Sequence, residues 1–241
     1  MVGKPDEGTP DLVRGIGSRK LRVVENEWCD ERRRGGELVS ELTNMALAEC
    51  TGDWAFYLQA DEVIHEQALP VLERAMEDKL GDAKTRAVGM RIRNFHGDYW
   101  TFNPYAHRKV VRMIRNDGSP ASAGDAVSFY SLNQPDRRLI QYANPEAVHW
   151  LNRVHIFHYS WVKDRRSLLA KKNLMEEHYY GDAAQVFTDY ELDYWYKRFR
   201  GSHPRVMSQR IAQFESPLPP YPNRWLNPRF YAYLFRHGYK G

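Results

Sequence analysis

The run Trp54-Ala55-Phe56-Tyr57-Leu58 leads directly into Gln59-Ala60-Asp61-Glu62. A continuously apolar run of this length reads as a strand covered on both faces of a parallel sheet. Two carboxylates therefore stand at a strand exit. In an open parallel sheet, ligands sit beyond the carboxyl ends of the strands. A carboxylate there can hold a hard divalent cation, and that cation can neutralise a departing diphosphate. Spacing alone leaves a second use open, in which Asp61 caps the following helix. His149, His155 and His158 invite a zinc reading. In a strand over 154–159, however, His155 and His158 are an odd number of residues apart and point to opposite faces. One structural histidine and one site histidine fit that spacing better than one shared metal.

These side chains need a frame. Thr9-Pro10-Asp11 reads as a helix start, with Gly17 as its stop. Residues 21–24 are a short apolar run, expected as a buried strand. Residues 26–36 are polar and carry Arg32, Arg33 and Arg34 before Gly35-Gly36, so they read as a loop. That triplet could grip a diphosphate, although a solvated loop is the simpler reading. Helical spacing over 37–50 places Val39, Leu42, Ala46 and Cys50 on one stripe. A third helix begins near Glu66, with Leu69, Leu72, Met76 and Leu80 buried and Gly81 at its end. Residues 87–92, 110–114 and 154–159 read as strands, and 164–179 and 189–199 as helices. The tail from Ser216 is rich in Pro and at least partly irregular. Strand alternating with helix across short connections implies an α/β fold, doubly wound around a mostly parallel sheet.

Composition excludes several classes. The chain has 241 residues, 42% of them hydrophobic and 27% charged, as in ordinary globular proteins. No run approaches the roughly 18 apolar residues of a membrane span, and the polar start is not a secretory signal. Two cysteines, Cys29 and Cys50, form no disulfide framework or zinc ribbon, so a reducing cytoplasm is the expected compartment. A net charge of +4 is too small to argue for nucleic acid. Aromatics make up 13%. Tyr99, Trp100 and Tyr105 could stack on a sugar face, whereas Trp54 reads as core.

Asn44-Met45-Ala46-Leu47, Gly52-Asp53-Trp54 and Tyr57-Leu58-Gln59-Ala60-Asp61-Glu62 together resemble the centre of family-2 glycosyltransferases. These are GT-A fold enzymes that take sugars from nucleotide-sugar donors. Asp6-Glu7-Gly8-Thr9, Asn94-Phe95-His96-Gly97, Val111-Arg112, Gly124-Asp125-Ala126 and His158-Tyr159-Ser160-Trp161-Val162 extend the resemblance, which covers residues 2 to about 214. It implies a GT-A-like core over 1–162 and a helical, Pro- and aromatic-rich extension over 163–241. It also implies inverting, metal-assisted transfer to a glycan or other acceptor hydroxyl. Asp61 matches the last Asp of the family's Asp-x-Asp motif and would hold Mn²⁺ or Mg²⁺. Gln59 replaces the first Asp, so one charge fewer faces the metal. Asp6, Asn44, Gln59 and Asp61 would line the donor site. His158 would be a further metal or diphosphate ligand, and Asp125 the general base, with Glu62 as its rival.

Relative to that family, the first strand and helix have no counterpart before Asp6. The expectation is therefore weak nucleotide-sugar binding by this chain, or a non-catalytic binding or scaffold role. The tail's Tyr221, Trp225, Phe230, Tyr231, Tyr233 and Phe235 alternate with Arg224, Arg229 and Arg236. They could rest on a membrane surface, shape an acceptor groove or pack on the domain.

Overall fold

A computed structural model describes residues 9–24, 37–106, 109–132, 138–189 and 196–217, with residues 228, 231, 232 and 235 beyond them. The elements run α1 (Thr9–Gly15), α2 (Glu37–Ala48), β1 (Trp54–Phe56), β2 (Glu62–Ile64), α3 (Leu69–Leu80), β3 (Ala87–His96), β4 (Thr101–Asn103) and β5 (Lys109–Arg115). They continue with β6 (Pro120–Ser122), β7 (Phe129–Ser131), α4 (Ile140–Ala143), β8 (Val148–Trp161), α5 (Arg165–Tyr180), β9 (Lys197–Arg198) and α6 (Ser208–Ala212).

The fold is mixed α/β, with helices flanking one seven-stranded sheet and a separate β6–β7 hairpin. β3 is its centre. It pairs antiparallel with β5 along its first half and with β4 near its end, and parallel with β8 along its length. β1 extends the sheet beyond β5, β2 beyond β8 and β9 beyond β4, all antiparallel. The parallel share is smaller than the strand–helix alternation suggests. The short connection from β3 to β4 permits only antiparallel neighbours, because a parallel return needs a crossover of a dozen residues or more.

Ala87, Val88 and Met90 of β3 are fully buried. Gly89 lies between Val88 and Met90 because the Trp150 ring presses on it. A Cβ there would stand 2.3 Å from Trp150 Cζ3. Leu72 of α3 joins Val88, Met90, Val110, Met113 and Ile156 in one core cluster. On the other side, Phe95, Phe157, Tyr159 and Phe199 form an aromatic core cluster.

Several local expectations shift. α2 is present, but its buried face is Leu38, Ser40 and Thr43, while Cys50 is exposed. Ser40 and Thr43 can be buried because their hydroxyls donate to the carbonyls of Glu37 and Val39. α3 buries Leu72 and Ala75, leaving Leu69 and Leu80 exposed at its ends. β1 is three residues long and antiparallel to β5, its one strand neighbour among the described residues, so Phe56 and Leu58 stay exposed. Residues 21–24 form no strand, and Leu21, Val23 and Val24 are exposed. β9 occupies 197–198, where helical spacing predicts a helix, because it pairs with β4. Residues 190–195 lie outside the described residues. No helix among the described residues is long and apolar enough to cross a membrane.

Candidate functional site

The turn between β1 and β2 is closed from both sides. Glu62 N–H donates to the Gln59 carbonyl at 2.9 Å, and Gln59 N–H donates to Glu62 Oε2 at 3.1 Å. Glu62 then receives Arg112 in a two-pronged contact, Nη2 to Oε1 at 2.6 Å and Nε to Oε2 at 3.2 Å. The two side chains are 0% and 3% exposed. Arg112 Nη1 also donates to the Val127 carbonyl at 2.6 Å, and the guanidinium lies 5.0 Å from the centre of the Tyr57 ring. Tyr57 OH accepts from Gln59 Nε2 at 3.0 Å. A buried, fork-to-fork ion pair of this kind fixes a turn firmly.

Asp61 faces away from that lock. Antiparallel pairing sets Glu62 opposite His158, and Tyr159 N–H donates to the Asp61 carbonyl at 2.9 Å. The Asp61 carboxylate lies 3.5 Å from His158 Nε2 and keeps 31% of its side-chain surface exposed. The hydrogen-bond pattern assigns the histidine tautomer. Asn94 Nδ2 donates to the Ala106 carbonyl at 2.8 Å, so Asn94 Oδ1 is an acceptor. His158 Nδ1–H donates to it. In a neutral ring, Nε2 then carries only a lone pair, aimed at a carboxylate oxygen. Protonated at Nε2, the ring donates toward the carboxylate and the two close as an ion pair; a metal ion is the other cation the two groups can share.

Electrostatics agree with that geometry. Burial by itself would raise the Asp61 carboxyl. The hydrogen bond and charge of His158, with the Ser160 hydroxyl, outweigh burial and hold it well below the usual carboxylate range. Ser160 also accepts a hydrogen bond from Lys171 Nζ, which donates as well to the Ser160 carbonyl at 3.2 Å. The buried ammonium sits 4.9 Å from the Trp161 ring centre. Burial pulls it down to about 8, with Asp61 opposing. His96 stacks on Trp161 at 5.5 Å. Burial, with the charges of His158 and Lys171, lowers it to about 3, so it is neutral across the physiological range.

All of these groups lie at the carboxyl ends of the parallel pair, where Asn94 of β3 is in register with His158 of β8. Asp61 and His158, anticipated from the sequence, are brought together. Asn94, Ser160 and Lys171 were not singled out there. Asn94 and Ser160 lie inside the segments that carry the family resemblance, which is a signal that could have found them. Lys171, inside a basic helix, gives none.

The other expected site residues lie elsewhere or are occupied. Asn44 Nδ2 donates to the Ser122 carbonyl at 3.0 Å and Asn44 Oδ1 accepts from Ser122 N–H at 2.7 Å, which docks α2 on β6. Gln59 is held by Tyr57. Asp125 is exposed in a turn where Gly124 and Ala126 have positive φ, and its Oδ1 accepts from Val127 N–H at 3.2 Å. That turn leads back to Glu62 through Arg112 and the Val127 carbonyl. His155 accepts no partner from the Asp61 group and contacts the Arg153 carbonyl instead. Tyr99 is buried against Tyr159 and Phe214, away from solvent, whereas Trp100 is exposed. Asp6, Arg32, Arg33, Arg34 and most of the tail aromatics lie outside the described residues.

A second contact imitates a nucleophile pair. His65 Nε2 is 3.1 Å from Ser202 Oγ, with Glu66 3.7 Å from Nδ1. But Nδ1 accepts the Gln67 N–H, so in the neutral ring Nε2 carries the proton and donates to the serine. The ring is a helix cap, not a base toward Ser202.

Among the described residues no group of three or more His, Cys, Asp or Glu side chains is gathered as a metal cage. Asp61 and His158 offer two ligands with the right polarity, which suits a cation whose remaining positions are filled by substrate oxygens or water. No family model matches this chain, and no curated protein matches it either.

Proposed function

We propose that this domain is a metal-assisted glycosyltransferase, moving a sugar from a nucleotide-sugar donor to an acceptor hydroxyl with inversion. The observation that carries the reading is the convergence of the Asp61 carboxylate and the His158 lone pair at the carboxyl ends of β3 and β8. Asp61 and His158 would hold Mn²⁺ or Mg²⁺, and the cation would neutralise the departing diphosphate. Asn94 holds the imidazole so that Nε2 faces the cation. Glu62, sealed by Arg112, keeps the Asp61 turn in place rather than moving a proton. That leaves Asp125 as the base. Its Oδ2 is the oxygen not bonded to Val127, and the family resemblance is what supports this role.

A non-catalytic binding role is the competing reading. It is favoured by Asn44 and Gln59, whose amides are used by Ser122 and Tyr57 instead of a donor. Sugar transfer from a panel of uridine, guanosine and thymidine diphosphate sugars, with and without Mn²⁺, separates the two. The enzyme reading expects Mn²⁺-dependent transfer that falls by at least about a hundredfold in Asp61→Ala. Transfer that survives in Asp61→Ala overturns the site. Mn²⁺ binding without transfer from any donor favours the binding role.

A further inference from the structure

Residues 197–217 hold five Lys and Arg against one Glu, an excess of four. The formal net charge of the whole chain is +4. Residues 218–241 add four more basic residues and no acid, so residues 197–241 carry +8 and residues 1–196 carry −4. The fold packs residues 197–217 against the aromatic cluster. Its inward anchors are Phe199, Met207, Ile211 and Phe214, which pack against Phe95 and its neighbours. β9 alternates, so Phe199 is buried while Arg198 and Arg200 on either side are exposed. Arg205 and Arg210 are exposed further along. Among the described residues, none of these four guanidiniums lies in an ion pair.

Two apolar side chains stand among them. Phe199 N–H donates to the Trp100 carbonyl at 2.6 Å, and the Trp100 ring lies 5.1 Å from that of His203. Trp100 is thus fixed beside the arginines, yet 45% exposed, and Val206 is 76% exposed. Unpaired guanidiniums suit phosphate oxygens. A tryptophan at the rim suits the headgroup level of a bilayer. An exposed aliphatic residue gains by entering the acyl boundary and has no counterpart on a nucleic-acid backbone.

We propose that the face built from Arg198, Arg200, Arg205, Arg210, Trp100 and Val206 docks on an anionic lipid surface. This proposal is independent of the Asp61 site.

The test is sedimentation of the full chain with vesicles of phosphatidylcholine alone, or with about a third phosphatidylglycerol. Binding is expected to the anionic vesicles only and to weaken as salt rises. Replacing all four arginines by Gln should lower vesicle affinity by roughly a hundredfold or more, and Trp100→Ala by several-fold. A control carrying Arg19, Arg74, Lys84 and Arg153→Gln removes the same charge elsewhere and should bind like the parent. Circular dichroism melting verifies that each variant is folded, and the salt dependence of the unaltered chain needs no variant. The proposal is overturned by equal binding to neutral vesicles, by no binding to either, or by equal loss in the control. It is also overturned if the same arginines hold an oligonucleotide more tightly than the vesicles.

Discussion

Glu62 turns its carboxylate into Arg112, and neither side chain reaches solvent, whereas Asp61, one residue earlier, turns toward His158 with 31% of its surface open. On the Glu62 side every charged group has its partner in the fold. Both carboxylate oxygens and the guanidinium forks are used, and Val127 takes what remains. On the Asp61 side His158 donates to Asn94 and, when protonated, toward Asp61, which the Ser160 hydroxyl also reaches, yet the carboxylate keeps 31% of its surface open. A closed pair holds shape. A pair that reaches solvent can exchange its proton for another cation or for a substrate group. The contrast separates two adjacent acids that the sequence presents as equals.

The contrast breaks first at Glu62. Glu62→Gln leaves Arg112 buried without a counter-charge, and the expected loss is about 3–5 kcal/mol. Urea unfolding measures it, and a loss below about 1 kcal/mol would mean that the lock is not structural. Next comes His96. Its unfolded imidazole takes a proton near 6.5, but the folded one only near 3. Between those values the unfolded state binds more protons, so stability falls as pH drops from about 6.5 toward 3, by up to about 5 kcal/mol. His96→Phe should flatten that slope in urea titrations run from pH 7 to pH 4. Lys171 gives a smaller effect with the opposite location. Its folded ammonium releases its proton near 8 and its unfolded one near 10.5. Stability therefore rises with pH across that interval, by about 2–3 kcal/mol. Lys171→Met should lack the rise, and a rise that persists would place its origin elsewhere.

How far this contrast is legible in the sequence depends on the range of each interaction. α2 and α3 follow from local spacing, and the helix α5 from its Asp164 cap, which accepts from Ser167 N–H at 2.9 Å. The exit of β1 into two acids is local too. Which acid is locked and which is open is not, because it depends on Arg112 of β5 and His158 of β8, at separations no periodicity encodes. The rotated face of α2 has a related cause. Ser40 and Thr43 read as polar, yet they are buried because their own helix satisfies their hydroxyls. Residues 21–24 fail in the other direction. Leu21, Val23 and Val24 look like a buried strand, but apolar character supplies no partner edge, and Arg22 among them pairs with Glu49. Lys171 is invisible among basic neighbours until α5 lies against Ser160.

The smallest effect on stability is expected where the effect on chemistry is greatest. Asp61→Asn keeps the size of the side chain and removes its charge. Because His158 Nδ1–H is committed to Asn94, Nε2 is an acceptor, and the new amide can donate to it directly. The fold then needs no cation between the two groups, so the stability change at pH 7 should be within about 1.5 kcal/mol. The acid limb should change as well. Asp61 has a depressed folded pKa, so its contribution is present above the ordinary value of 3.8 and is lost as pH falls below it. The variant should lack that component. Mn²⁺ binding, followed by the electron paramagnetic resonance of the free ion, should weaken by at least about tenfold, since one anionic ligand is gone. A variant that unfolds readily would show Asp61 to be a second structural lock, and one that keeps Mn²⁺ would remove the cation from this end of the sheet.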